Sequence, residues 1–329
     1  MDTHIELSII VVVYRMRRQA WNTLYSLSTA YQRNVTANYE VIVVENHSDE
    51  NLSPAAIASL PGSFRYFLRE ESGVSPVPAV NFALAQCRGN TMGLLIDGAR
   101  MLSPRVIEHV QTLRRAFDHP LVVVPGYHLG TEQHDAASAT RADAEQSELE
   151  KLDWRTDGYR LFEHACFSPG NARGYFHPLM ECNALFCTRE SLEAIGGADP
   201  RFGLAGGGSI NLHIYRSLGV QPRNQLVILP GEGNFHQYHG GVTTRAMEQR
   251  AATLEAFRDQ LNGCWDGQYR ALSREPLLFG SIGSSAQRFL QLSCEHGMAR
   301  FARLAAEGKP AWPDDAIQQR GEHEPDTGE

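Results

Sequence analysis

Asp97 closes a short apolar run, Met92-Gly-Leu-Leu-Ile, and a turn then leads toward a helical pattern that begins at Pro104. In α/β proteins, a lone acid at the C-terminal end of a buried parallel strand lies where ligands bind. The same carboxylate can also serve only to cap the turn that follows it, a common use of aspartate. His236 and His239 stand three apart in Phe-His-Gln-Tyr-His-Gly-Gly. That spacing alone is a weak signal, although Gly240-Gly241 permits close backbone approach. Histidines so placed also serve as core residues or loop caps. The third feature is Gly206-Gly-Gly-Ser-Ile-Asn-Leu. Ser209 suits the N-cap of a helix, and a helix N-terminus behind a glycine turn can hold an anion. Its plainer reading is loop flexibility.

Positioning these groups requires an α/β framework. Residues 7–14 and 39–45 are nearly continuous apolar, β-branched runs, the signature of strands buried on both faces. A helical pattern over 15–31 separates them, with Trp21, Leu24, Leu27 and Tyr31 on one face. This is a right-handed βαβ crossover in a parallel sheet. Further strands are predicted at 64–68, 92–96, 121–125 and 182–187. Helices are predicted at 78–87, 104–117, 189–195, 209–218, 244–261 and 284–304. Residues 129–178 read as a polar insertion, mobile or partly helical over the sheet. The division that follows is a first half over 1–128, the insertion at 129–178, a second half over 179–262, a helical C-terminal extension over 263–307, and a disordered tail over 308–329.

Composition narrows the function. The 329 residues carry a formal net charge of −8, so the chain is not built to grip a nucleic-acid backbone. An anionic ligand would need local basic groups or helix termini. No apolar stretch approaches the ~20 residues of a membrane span. The N-terminus lacks the basic region of a secretory signal. Six scattered cysteines with no Cys-x-x-Cys pair suggest reduced thiols. Together these features predict a cytoplasmic protein without an integral membrane segment.

The order of motifs resembles the family-2 glycosyltransferases of the GT-A fold. Ser-Ile-Ile-Val-Val-Val-Tyr-Arg (8–15) is similar to their opening strand, and Val-Ile-Val-Val-Glu-Asn-His-Ser-Asp (41–49) to their second strand and its acid. Residues 78–97, including Asn81 and Gly89, resemble the approach to an Asp-x-Asp motif. Ile-Gly-Gly-Ala-Asp-Pro-Arg-Phe (195–202) resembles the segment before the catalytic helix. The resemblance spans about 7–245. Within the family it looks closest to a bacterial subgroup with Ile-Asp-Gly-Ala-Arg and Phe-His-Gln-x-His-Gly-Gly.

The resemblance implies a Rossmann-like, mostly parallel sheet flanked by helices, and a nucleotide-diphosphate sugar donor. Donor-binding residues would be Val13, Tyr14, Arg15, Glu45, Asn81, Asp97, Gly98, Arg100 and Ser209. Glu45 would accept the imide N–H of a uracil-like base. Asp97, His236 and His239 would hold a divalent cation, Mn²⁺ or Mg²⁺. Ala99 stands where the family places a second acid, which implies weak or dispensable metal binding, with Arg100 giving charge to the diphosphate directly. At 208–211 the family's catalytic aspartate is absent, and Ser209 and Asn211 cannot act as bases near neutral pH.

Three mechanisms stay open for transfer to a hydroxyl acceptor. Glu181, just before the 182–187 strand, could be a relocated base, or simply an acid paired with an arginine such as Arg173. A retaining enzyme needs no dedicated base. A chain that binds nucleotide sugar without transferring it, as a scaffolding module, is the third.

Overall fold

Strand β1 (Leu7–Val13) and strand β2 (Tyr39–Asn46) lie side by side in parallel, in register from Leu7 opposite Tyr39 to Val13 opposite Glu45. Helix α1 (Arg17–Ser26) is the crossover between them. In this computed structural model the described residues are 4–71, 73–130, 140–180, 182–207, 209–239 and 247–313. The chain continues through α2 (Pro54–Ala58), β3 (Phe64–Arg69), α3 (Val77–Gln86), β4 (Thr91–Leu95), β5 (Arg100–Leu102) and α4 (Val106–Ala116). Strands β6 (Pro120–Val123) and β7 (Gly126–Leu129) follow, then α5 (Thr140–Lys151), β8 (Ala165–Phe167), β9 (Leu185–Thr188), α6 (Arg189–Ala194) and α7 (Ile210–Gly219). The last elements are β10 (Gln225–Ile228), β11 (Asn234–His236), α8 (Met247–Gly263), β12 (Leu277–Leu278) and α9 (Gln287–Ala306).

The main sheet has eight strands in the order β12-β10-β6-β9-β4-β1-β2-β3. Only β9 runs against its neighbours, pairing antiparallel with both β4 and β6. The mixed α/β class with a mostly parallel central sheet is thus as the sequence predicts. Its first strands are buried along their whole length, which is why they read as unbroken apolar runs. From β1 the chain moves outward to β2 and β3, then returns to place β4 on the other side of β1. That reversal opens a crevice at the C-terminal ends of β1 and β4, where ligands bind in such sheets.

A second sheet, β5-β11-β7-β8, carries the other half of the site. Its two faces differ because side chains alternate along each strand. One register row is Met101, Phe235, Tyr127 and Phe167, an aromatic stack with ring centres 5.5 Å apart for Tyr127–Phe235 and 5.1 Å for Tyr127–Phe167. Phe289 of α9 closes on that stack, 4.7 Å from the Tyr127 ring. The neighbouring row is Arg100, His236, His128 and Cys166. Core lies on one face and chemistry on the other.

Several expectations are corrected here. The described part of 129–178 is not wholly a polar excursion: Leu149, Trp154, Leu161, Phe162, Phe167 and Tyr175 are buried in the main core, and 131–139 lie outside the described residues. The first helix stops at Ser26, short of residue 31, and Tyr31 enters the core from the following loop, edge-on to Trp154. Of the tail over 308–329, all beyond Pro313 lies outside the described residues. Among the described residues, no helix is long and apolar enough to cross a membrane.

Candidate active site

Strand β4 delivers Asp97 to the crevice. The turn after it rests directly on β1: a Cβ on Gly98 would lie 2.8 Å from the Val12 carbonyl oxygen and 2.9 Å from Val13 Cγ2. Glycine is therefore required for this close approach. The Asp97 Oδ1 accepts the Ala99 N–H at 3.0 Å, so the turn-capping use of the carboxylate is real. Its Oδ2 is left for other partners.

Those partners come from β11. His236 Nε2 lies 2.9 Å from Asp97 Oδ2, and His239 Nε2 lies 3.7 Å from Asp97 Oδ1. The two imidazole nitrogens are 3.1 Å apart. One ligand atom from each of the three residues falls within 4.8 Å of the others. The pairing of β11 with β5 sets Arg100 directly beside His236, and Arg100 Nε stands 3.5 Å from Asp97 Oδ2. Arg100 is itself 4% exposed and donates to Asn234 Oδ1 at 3.2 Å.

Burial and neighbouring charges shift the protonation of both Asp97 and His236. Burial pushes His236 down to about 4, and the Arg100 charge adds to this, while Asp97 opposes both. Burial would raise Asp97, but the charges and hydrogen bonds of His236 and His239 outweigh it and hold the carboxyl well below its usual range. Near neutral pH the pair is a carboxylate beside a neutral imidazole. With a proton on His236 Nε2 the contact is a hydrogen bond. Without it, lone pairs from nitrogen and oxygen converge on one point. Ligand bonds of about 2.0–2.2 Å put neighbouring donors about 3 Å apart, as seen for His236 with Asp97 and with His239, while His239 and Asp97 stand 3.7 Å apart.

The other sequence-predicted residues divide sharply. Val13 is buried at the end of β1, and Tyr14 beyond it is 48% exposed at the crevice. Arg15 takes a left-handed backbone, φ 50°, and pairs with exposed Asp49 at 3.4 Å. Glu45 departs from expectation. It is fully buried, and its Oε2 accepts the Leu52 N–H at 2.9 Å and the Tyr66 hydroxyl at 2.6 Å. Its Oε1 is buried without a hydrogen-bond partner among the described residues.

Asn81 is also committed elsewhere. Its amide donates to the Ala198 carbonyl at 2.8 Å and accepts the Ala198 N–H at 3.0 Å, pinning the 195–202 segment to α3. Ser75 does the same for Phe202. Ser209 occupies the N-cap of α7, but its side chain makes no capping bond. Ala99 is fully buried, so an acid there would not face the crevice. Glu181, Gly208 and Gly240-Gly241 lie outside the described residues.

Three polar residues around the triad were not singled out from the sequence. His128, on β7, sits with its ring centre 5.5 Å from that of His236. Gln237 is buried between α1 and β5: its N–H donates to the Ala99 carbonyl at 2.9 Å, and its Oε1 accepts from Asn22 at 2.9 Å. Glu145, on α5, accepts the Tyr238 N–H with both oxygens, at 2.9 and 3.1 Å. Burial pushes Glu145 up to about 7, against the Tyr238 N–H bond and the charges of Arg141, His239 and Arg18. The one available signal was Asn234-Phe-His-Gln-Tyr-His239, a mostly polar run that the fold buries.

No protein-family model matches the chain, and no curated protein does. Among solved structures, it is similar to S. aureus TarS 1–349 in complex with UDP-GlcNAc, at 12% identity over 91% of this chain and 73% of that one, TM-score 0.48. It is similar to the mannosyltransferase PcManGT from Pyrobaculum calidifontis in complex with GDP-Man and Mn²⁺, at 16% identity over 97% and 80%, TM-score 0.48. Against a longer S. aureus TarS structure the identity is 12% and the TM-score 0.48; 78% of this chain is covered, and it spans 40% of that one.

Proposed function

We propose that this chain is a GT-A glycosyltransferase that moves a sugar from a nucleoside-diphosphate donor to a hydroxyl acceptor. The observation that carries the reading is the convergence of Asp97, His236 and His239 at the sheet's reversal point. In this reading, residues 1–128 hold the nucleotide and 179–262 face the acceptor, with exposed Tyr14 and Arg15 at the donor entrance.

The donor set fits a divalent cation. Two imidazole nitrogens and one carboxylate favour Mn²⁺ over Mg²⁺ or Ca²⁺, which prefer all-oxygen shells. When bound, such a cation supplies positive charge to the departing diphosphate. Asp97 and the two histidines would hold it, and Arg100 beneath them fixes the Asp97 carboxylate. The remaining positions would be left for diphosphate oxygens and water.

One observation favours the binding-only reading. Ser209 and Asn211 stand where the resemblance expects acids, and nothing at 205–211 can take a proton from a hydroxyl near neutral pH. Calorimetry with UDP, GDP and TDP, with and without Mn²⁺, tests donor binding. The expected result is affinity of about −6 to −8 kcal/mol for at least one nucleotide, with the two conditions reading the metal's contribution. No binding to any of them overturns the donor assignment. Release of free sugar or transfer from the matching nucleotide sugar separates an enzyme from a binding module.

A further inference from the structure

His236 and His239 are joined by two residues, and the placement of that link decides whether their nitrogens can meet over Asp97. The link is held at several points. Gln237 N–H donates to the Ala99 carbonyl at 2.9 Å, and the Gln237 side chain is gripped by α1 through Asn22 and the Gln19 carbonyl. The Tyr238 carbonyl accepts from Gln19 Nε2 at 2.7 Å. The Tyr238 N–H goes to Glu145, on a helix from a different part of the chain. Helix α5 is in turn tied to α1 by Arg18–Asp143 at 2.7 Å and by Asn22–Gln146 at 3.2 Å.

We propose that Glu145 is a positioning residue of the cation site: by accepting the Tyr238 N–H it fixes the link between His236 and His239, and so the meeting of their Nε2 atoms at Asp97. This rests on the cation reading given above. The geometry favours orientation over general packing, because both carboxylate oxygens address the same backbone donor, one residue before His239. Groups that orient metal ligands from behind affect affinity about 10–100-fold when removed.

The test is Mn²⁺ binding to the full chain, read as free Mn²⁺ by electron paramagnetic resonance, with no nucleotide or turnover involved. Glu145→Ala should weaken binding about tenfold or more. Glu145→Asp, which withdraws the carboxylate by one methylene, should weaken it comparably. Glu145→Gln keeps an acceptor oxygen and should stay within about twofold of the unmodified chain. Glu148→Ala, on the same helix, breaks only the exposed pair with Lys151 and should leave binding unchanged. Glu145→Asp covers the case in which Glu145→Ala does not fold. Normal Mn²⁺ affinity in folded Glu145→Asp overturns the inference alone. Absence of Mn²⁺ binding by the unmodified chain overturns the cation reading and this inference with it.

Discussion

The ends of β2 and β4 can be set side by side: both strands are parallel to β1, on either side of it, and each runs into a carboxylate. At the end of β2, Glu45 is enclosed, and its Oε2 is taken by a tyrosine hydroxyl and a backbone N–H. Burial and the bond to Glu45 push the Tyr66 hydroxyl far up, so that it stays a proton donor to the carboxylate. At the end of β4, the Asp97 side chain keeps 22% of its surface exposed and spends one oxygen on its own turn. Its other oxygen meets an imidazole brought from β11. Strand-end position alone does not make an acid functional. The decisive difference is enclosure: Glu45 is closed in, with Oε2 engaged and Oε1 buried without a hydrogen-bond partner among the described residues, whereas the Asp97 side chain keeps exposed surface.

Exchanging the two acids for alanine gives the sharpest test of that contrast. Asp97→Ala removes a direct ligand, so Mn²⁺ affinity should fall on the order of 100-fold or more, beyond what the loss of an orienting partner costs. The fold should survive, as judged by circular dichroism. Glu45→Ala should do the reverse. It leaves the Tyr66 hydroxyl and the Leu52 N–H without their acceptor, a loss of about 2–4 kcal/mol in urea unfolding, with Mn²⁺ affinity unchanged. Equal effects of the two substitutions on Mn²⁺ binding would erase the distinction.

Gly98→Ala probes why the β4 end is shaped as it is. The added methyl meets the Val12 carbonyl, a backbone atom with little room to move. A destabilisation of about 1–3 kcal/mol is expected, with Mn²⁺ affinity falling as Asp97 shifts. An unchanged melting curve would show that the turn does not depend on β1.

A third carboxylate calibrates how much burial alone matters. Glu145 is raised to about 7 in the folded chain, so the unfolded chain loses this proton at lower pH. The stability linked to it is full below the ordinary carboxylate range and is lost as pH rises through about 7. Glu145→Gln should flatten that slope, by about 1–2 kcal/mol between pH 4.5 and 8 in denaturant titrations. A wild-type slope that persists in this variant assigns the titration to another group.

Six of the main sheet's eight strands were legible, most clearly β1 and β2 as buried β-branched runs, and Asp97 was legible because a short apolar run ends in it; β10 and β12 were not predicted. The second sheet was not legible. Its strands β5, β8 and β11 are three residues each, too short for alternation to register. Their side-chain pattern makes sense only across strands, in the rows that begin at Met101 and Arg100. His236 and His239 were found by spacing and resemblance, and their meeting with Asp97 depends on that sheet. Glu45 was misjudged because its fate is decided by the Tyr66 hydroxyl and the Leu52 N–H, side-chain and loop contacts that adjacency of β2 and β3 does not by itself reveal. Helix α5 was passed over because its acids look like an exposed face. Only packing reveals that Glu145 turns inward.

The pairing of β5 with β11 has a consequence for the order in which the molecule acquires its properties. Arg100 and Asn234, which touch across that pair, stand 134 positions apart in the chain. Strands β1 and β2 meet across only 32 positions, from Ser8 to Glu40, whereas closing the β5–β11 contact requires a much longer loop to be drawn in first. On the cation reading proposed above, cation capture would therefore come late on the way to the native state. During synthesis, a chain whose first strands have already assembled would lack the three-residue cluster until β11 and His239 have emerged. Manganese uptake followed in real time during refolding would thus mark completion of the molecule, lagging behind the burial of its first strands.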